Sequence, residues 1–318
     1  MDLFKLNLLL NGLSFGIPPT AVGGWFKFSL LCLLECSVSL ILTRMHLEPL
    51  TTLSWAWQLH YYLCFRTRRR RRLFTAREQI DLLTATLSEI CERHDYHLLQ
   101  ARVYADHLRC LVSLRPAQAI STVIQKIKAN SSRECSAALA VAPPLWERGY
   151  LARSVGHVRV ATVKQYLDEQ AEHHGYSLRL RPPVFRYRAE QAVMLAAAHA
   201  SFELKHHLVF ATRYRVAVFD SGLGEALCKY WLRVANKRGF AIDRISIVPD
   251  HIHLLVRSVP KIAIEECALS LLNNGQYFVG KRAPHTLVQV GIEGLWQASA
   301  YAGTTGQLTT ALLKKFLS

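Results

Sequence analysis

The chain lacks the cysteine spacings that announce a zinc ribbon or a small disulfide scaffold. Its eight cysteines (Cys32, Cys36, Cys64, Cys91, Cys110, Cys135, Cys228 and Cys267) are scattered and include no CxxC pair. A reduced, cytoplasmic setting is expected, nucleoid-associated if the source is bacterial. Acidic residues are scarce, with 23 Asp plus Glu against 39 Lys plus Arg and a formal charge of +16. That balance disfavours cationic partners and favours a polyanion, because each phosphate neutralised by a cationic side chain releases condensed counterions. An anionic membrane surface would attract the same charge, but a clean apolar run of about 20 residues is missing. The nearest approach, Phe26–Thr43, is interrupted by Lys27 and Glu35, and Arg44 follows it where a signal peptide would show a small-residue cleavage site. Residues 1–44 are therefore expected to be an apolar extension, with the recognisable protein opening near Met45 and no membrane partner.

What is present is enough for two ordinary globular domains: 318 residues, 51% hydrophobic and 19% charged. The chain also repeats itself at a distance of about 145 residues. Tyr61–Phe74 reads YYLCFRTRRRRRLF and His206–Phe219 reads HHLVFATRYRVAVF. Each is followed by an amphipathic run, Glu78–Arg93 and Gly222–Lys237, with apolar residues at helical spacing. ARVYADHLRCLVSLRP from Ala101 then aligns without gaps with ISIVPDHIHLLVRSVP from Ile245, and both have the alternating, β-branched character of paired strands. After another expected helix, the Leu-Trp pairs at 145 and 295 and the glycines Gly156 and Gly306 match, and a closing helical segment follows in which Tyr166 falls opposite Phe316. Strand, helix, strand, strand, helix and terminal helix predict a small α+β sandwich with an antiparallel sheet, made twice. The expected units are 56–175 and 203–318, joined by a basic linker over 176–202 that contains Pro182-Pro183 and an alanine-rich stretch able to form a helical turn.

The sharpest chemical signal is His251-Ile252-His253. Side chains alternate along a strand, so both imidazoles project from one face and offer two nitrogen ligands of a divalent-metal site. An isolated pair of this kind is more often two hydrogen-bonded strand histidines. Its surroundings change the weighing, because HHLVFATRYR from His206, PDHIHLLV from Pro249, LWERGYLARSVG from Leu145 and VKQYLDEQ from Val163 together resemble the single-tyrosine HUH transposase family, the insertion-sequence-200-like and REP-associated tyrosine transposases.

The resemblance implies two ferredoxin-like domains, each an antiparallel sheet with helices on one face. It also implies a Mg²⁺ or Mn²⁺ ion held by His251, His253 and Gln170, and Tyr166 as the nucleophile that attacks a DNA phosphodiester. Tyr166 and Gln170 stand four residues apart and would share a helix face. The copies depart from the family pattern in complementary ways: Arg109 replaces the second histidine in the first copy, and Phe316 replaces the tyrosine in the second. A guanidinium offers no lone pair to a metal and a phenyl ring no hydroxyl. Since such transposases work as dimers, the two halves are expected to form a pseudo-dimer within one chain, with one composite site. A homodimer is the less favoured arrangement. The expected partner is single-stranded DNA containing a hairpin, cut through a 5′-phosphotyrosine link. The arginines Arg66, Arg68, Arg69, Arg70, Arg71, Arg72, Arg213 and Arg215 are the expected contacts to its backbone. The competing expectation is an inactive, domesticated transposase that only binds hairpins. Adjacent histidines at 173–174 and 206–207 diverge and are left out of the metal set.

Overall fold

The structure is a computed structural model that describes residues 48–156 and 183–306. In chain order it consists of β1 (Ser54–Gln58), β2 (His60–Arg66), α1 (Arg77–Arg93), β3 (His97–Tyr104), β4 (His107–Ser113), α2 (Ile120–Ala138) and β5 (Tyr150–Val155). There follow β6 (Phe185–Arg188), β7 (Ala200–Glu203), β8 (Lys205–Thr212), α3 (Ser221–Arg238), β9 (Ala241–Val248), β10 (His251–Arg257), α4 (Ile264–Arg282), α5 (Pro284–Gln289) and β11 (Trp296–Thr305). The chain is α+β, with a six-stranded sheet ordered β1-β11-β8-β10-β9-β6 and a five-stranded sheet ordered β3-β4-β2-β5-β7. Among the described residues, no helix is long and apolar enough to cross a membrane.

Each half runs strand, helix, strand, strand, helix, strand, and its four own strands lie in the order fourth, first, third, second, all antiparallel. The helices follow from local chemistry. In the second half, Asp220 accepts from the Leu223 amide at 2.7 Å and caps α3, and Gly239 ends that helix at φ 79°. Leu223, Leu227, Trp231 and Val234 of α3 are buried, as are Cys267, Leu271, Leu272 and Val279 of α4, at the three- and four-residue spacing of a single face. That face packs on Leu208 and Phe210 of β8 and on Ile252 and Leu254 of β10, all 0% exposed. Gly275 makes the closure of α3 on α4 possible, because a Cβ there would come within 2.9 Å of Trp231 Nε1. The Trp231 indole donates instead to the Leu271 carbonyl at 2.8 Å.

Three features depart from the sequence reading. Each half has a fourth strand, β5 and β11, where only the approach to a helix was expected. The alanine-rich stretch before β7 is not helical. One short strand, β6, lies within the expected linker, and another, β7, begins in it and ends at the first residue of the expected second unit. Phe185 and Tyr187 are half-buried and alternate with the exposed Arg186 and Arg188, and this period of two fits the pairing of β6 with β9. The helical segments expected to close each half, with Tyr166, Gln170 and Phe316, lie outside the described residues.

The strands at the seam are exchanged. β1 precedes the first half yet pairs in parallel with β11 of the second, and β7 precedes the second half yet pairs in parallel with β5 of the first. The chain crosses between sheets at Leu59 and Leu204, both buried. The bonds around these crossings are reciprocal. Ser154 Oγ accepts from the Lys205 amide and donates to the Thr305 carbonyl, at 2.9 and 2.6 Å. Thr304 Oγ1 accepts from the His60 amide and donates to the Val155 carbonyl, at 2.9 and 2.7 Å. The Ser121 amide reaches the Pro260 carbonyl while the Glu265 amide reaches that of Pro116, at 2.9 and 3.0 Å. On the axis itself, equivalent residues of the two copies meet: the Tyr61 hydroxyl and His206 Nε2 are 2.9 Å apart and fully enclosed.

Candidate active site

β10 carries His251 and His253 on the face away from α3 and α4, since Ile252 and Leu254 between and beside them enter the core. The register places Ala211 and Val209 of β8 and Val248 and Ser246 of β9 beside the two histidines, and Tyr301 of β11 one strand further. The imidazole centroids are 5.0 Å apart at 70°, and each residue is 7% exposed. The tight turn at Pro249-Asp250 starts the strand so that the Asp250 carboxylate faces its neighbour: Asp250 Oδ1 and His251 Nδ1 are 2.7 Å apart. Burial works to raise the Asp250 carboxyl, but the hydrogen bond with His251, the charge of His251 and Arg215 together hold it below the usual carboxylate range. When the His251 ring is neutral, an ionised carboxylate that accepts its Nδ1 proton leaves the Nε2 lone pair free to face away, as in the carboxylate–histidine pairs that orient metal ligands.

His253 is oriented by a residue the sequence reading left out. His207 Nε2 lies 3.1 Å from His253 Nδ1, with the rings stacked at 12°. Burial pushes His207 down to about 4, so its ring is neutral at physiological pH. The contact fixes the orientation of the His253 ring, and in the tautomer where His253 Nδ1–H donates to His207 the other nitrogen of His253 keeps its lone pair. Adjacent histidines do diverge, as expected. One consequence was missed: when His206 turns into the seam, His207 must turn to the site face. Two imidazoles on one strand face suit a divalent ion that takes nitrogen ligands. Among the described residues no group of three His, Cys, Asp or Glu side chains is placed to hold a metal, and the expected third ligand, Gln170, lies outside them.

The same place in the first half has different chemistry. Asp106 and His107 repeat the carboxylate–histidine contact at 2.7 Å, and the hydrogen bond from His107 is the main cause of a lowered Asp106 carboxyl. The second ligand position holds Arg109, whose guanidinium lies 4.7 Å from the ring centroid of Tyr104, while His107 stacks on that ring at 4.3 Å. A cation fixed over an aromatic face repels a divalent ion and supplies no donor.

Both halves place arginines on one unusual turn after the first strand. Arg69 and Arg70 have φ of 57° and 51°, and Tyr214 and Arg215 have φ of 56° and 57°. The threonine before each turn holds it. Thr67 Oγ1 donates to the Arg71 carbonyl at 2.6 Å and Thr212 Oγ1 to that of Val216 at 2.7 Å. Of the expected DNA-contacting residues, Arg66, Arg68, Arg69, Arg70, Arg72 and Arg215 are exposed, and Arg71 and Arg213 are half-buried. Arg215 Nε also reaches Asp250 Oδ2 at 2.9 Å, tying its turn to the carboxylate behind His251.

Comparison with known proteins comes to the same part of the chain. The family model described as transposase, IS200 like, matches twice, at residues 55–170 and 200–318. The ISDra2 transposase TnpA of Deinococcus radiodurans is 23% identical over 116 residues, which cover 36% of this chain and 83% of that protein. The transposase for insertion sequence element IS200 of Salmonella typhimurium is 25% identical over 122 residues, covering 36% and 79%. A solved structure of a REP-associated tyrosine transposase bound to a REP hairpin is 14% identical and covers 36% of this chain and 68% of that one, with a TM-score of 0.27.

Proposed function

The chain belongs to the IS200-like transposase family, and on that premise we propose that it cuts and rejoins single-stranded DNA at one site composed from both halves. The two domains, over 56–175 and 203–318, are on this reading a ferredoxin-like pseudo-dimer, which the strand order and the reciprocal seam support. His251 and His253, with Gln170, would hold Mg²⁺ or Mn²⁺, and the ion when bound offsets the negative charge that builds on the phosphate oxygens. Tyr166 is the nucleophile. A phenol with an ordinary pKa of about 10 must lose its proton as it attacks. Its oxygen forms a bond to phosphorus, the bond from phosphorus to the 3′ oxygen breaks, and that oxygen takes up a proton. A second strand's 3′ hydroxyl reverses the step, so joining needs no nucleotide hydrolysis.

The observation that carries this reading is the course of the chain at the seam. β5 runs into Gly156 against the second half: Ser154 bonds Thr305, and a Cβ on Gly306 would collide with the Ser154 carbonyl. The chain leaves the described residues at Gly156, beside the second half, and on this reading the segment that follows carries Tyr166 to the imidazoles of β10. Hairpin-containing single-stranded DNA is the proposed substrate, drawn to the arginine turns. The test is incubation of purified protein with labelled hairpin oligonucleotides and Mn²⁺. A covalent protein–DNA adduct is expected, and its loss in Tyr166→Phe and in His251→Ala. Binding without an adduct across a broad hairpin set would make the chain a DNA-gripping relic.

A further inference from the structure

We propose that Tyr214 is a stacking platform for a nucleobase of the single strand, held beside the His251–His253 site by its neighbour Arg215. This rests on the reading that the site handles single-stranded DNA.

The turn that carries Tyr214 is strained. Two successive non-glycine residues, Tyr214 and Arg215, occupy the left-handed region, where a side chain is disfavoured. Such a conformation persists only when its surroundings over-determine it. Here the Thr212 amide and hydroxyl both reach the Asp250 carbonyl at 2.9 Å, and the Arg213 amide reaches the Leu295 carbonyl at 2.9 Å. The result is an aromatic side chain turned outward. Tyr214 is 73% exposed, far more than a large aromatic needs for folding. The Arg213 guanidinium lies 5.3 Å from its ring centroid, which sets a cation beside the exposed ring, and the same guanidinium is 3.9 Å from the Glu293 carboxylate. A ring and a cation side by side are what sequence-tolerant single-strand grooves use: a base stacks and its phosphate pairs.

The platform is also tied to the site by a continuous chain of contacts. Arg215 Nε bonds one oxygen of Asp250 at 2.9 Å, and the other oxygen bonds His251 Nδ1 at 2.7 Å. A base resting on Tyr214 would therefore belong to a nucleotide close to the phosphate presented at His251 and His253. The first half supplies the contrast. Its equivalent turn has the same backbone but carries Arg69 where Tyr214 stands, so it offers charge without a ring, and only the half with both histidines keeps the aromatic.

The experiment measures binding of the full chain to fluorescein-labelled oligo(dT) in EDTA, which separates stacking from catalysis. Tyr214→Ala is expected to weaken binding about tenfold, within the range of one stacked base, with the salt dependence unchanged. Tyr214→Phe should bind as the parent does. Arg69→Ala, which removes charge alone, should instead reduce the salt slope. A 2-aminopurine base in the oligonucleotide should be quenched by the parent and not by Tyr214→Ala. Tyr214→Gly guards against misfolding: glycine accepts the positive φ, so this variant should melt no lower than the parent and still bind as weakly as Tyr214→Ala. Unchanged affinity in Tyr214→Ala, or a loss matched by Tyr214→Phe, overturns the platform while leaving the DNA reading intact. A parent chain that binds no single strand at all overturns both.

Discussion

Where the second half presents His253 against a neutral His207, the first half presents Arg109 stacked on Tyr104. The strands beneath are the same, the Asp-His contact before them has the same 2.7 Å length, and the turn that feeds them has the same left-handed backbone. The halves differ on their helical side too. In the second, Asn273 bonds both the amide and the carbonyl of Leu50, at 2.7 and 2.9 Å, and Gln276 bonds the Glu48 carbonyl at 2.8 Å, so the segment before β1 lies along α4. The first half has Ala129 and Ser132 at these positions, and the corresponding face of α2 borders an open cavity of about 870 Å³. Backbone plan and site chemistry have separated. Hydrogen bonding and apolar burial hold the plan in both halves, while the side chains of the sheet face around the histidine positions, which the core does not need, differ between them.

The comparison breaks most visibly at its ligands. His253→Ala should abolish DNA adduct formation, by about a thousandfold or more, whereas Arg109→Ala should leave it nearly intact; this is checked by adduct yield on labelled hairpin DNA. Equal losses would mean that both faces serve one reaction. A smaller effect is expected at the seam, where the halves should behave alike. Ser154→Ala and Thr304→Ala each remove a hydroxyl that accepts from one backbone amide and donates to a carbonyl across the seam, so each should cost about 2 kcal/mol by denaturant unfolding. A cost under about 0.5 kcal/mol would show that the reciprocal bonds contribute little.

An effect absent at neutral pH sharpens the contrast at the seam, where Tyr61 meets His206. Burial lowers His206 to about 3 and raises the Tyr61 hydroxyl further above its ordinary range. The unfolded chain then holds a proton on residue 206 that the folded chain does not. Stability from this group is present above about pH 6.5 and is lost as pH falls toward 3, with a slope of up to about 1.4 kcal/mol per pH unit. His206→Gln keeps a hydrogen-bonding partner for Tyr61 but cannot titrate, so its acid limb should be flatter in thermal melts across that window. An unchanged limb would place the acid sensitivity elsewhere.

Much of this was visible in the amino-acid sequence, and what was hidden has physical reasons. Both helix pairs and the paired strands follow from periodicities that a local window contains, and the internal repeat from aligning the chain with itself. The complementary departures at Arg109 and Phe316 are single-residue chemistry. The fourth strands are weaker signals: Trp296–Thr305 is rich in Ala and Gly and forms a strand because β1 and β8 flank it. Strand exchange at Leu59 and Leu204 is tertiary and leaves no local mark. The role of His207 depends on its diagonal relation to His253 across β8 and β10, which only the register fixes. The left-handed turn at Tyr214 was hidden because neither residue in it is the glycine that usually betrays one.

The central claim is that a tyrosine from the first half works with imidazoles of the second within one chain. Complementation tests it directly. Tyr166→Phe and His251→Ala chains are assayed for adduct separately and as an equimolar mixture, beside the parent. The account predicts adduct from the parent, mapped to Tyr166, and none from either variant or from their mixture. Recovery of adduct in the mixture would show that the site forms between chains, and adduct from His251→Ala alone would show that the second half's histidines take no part.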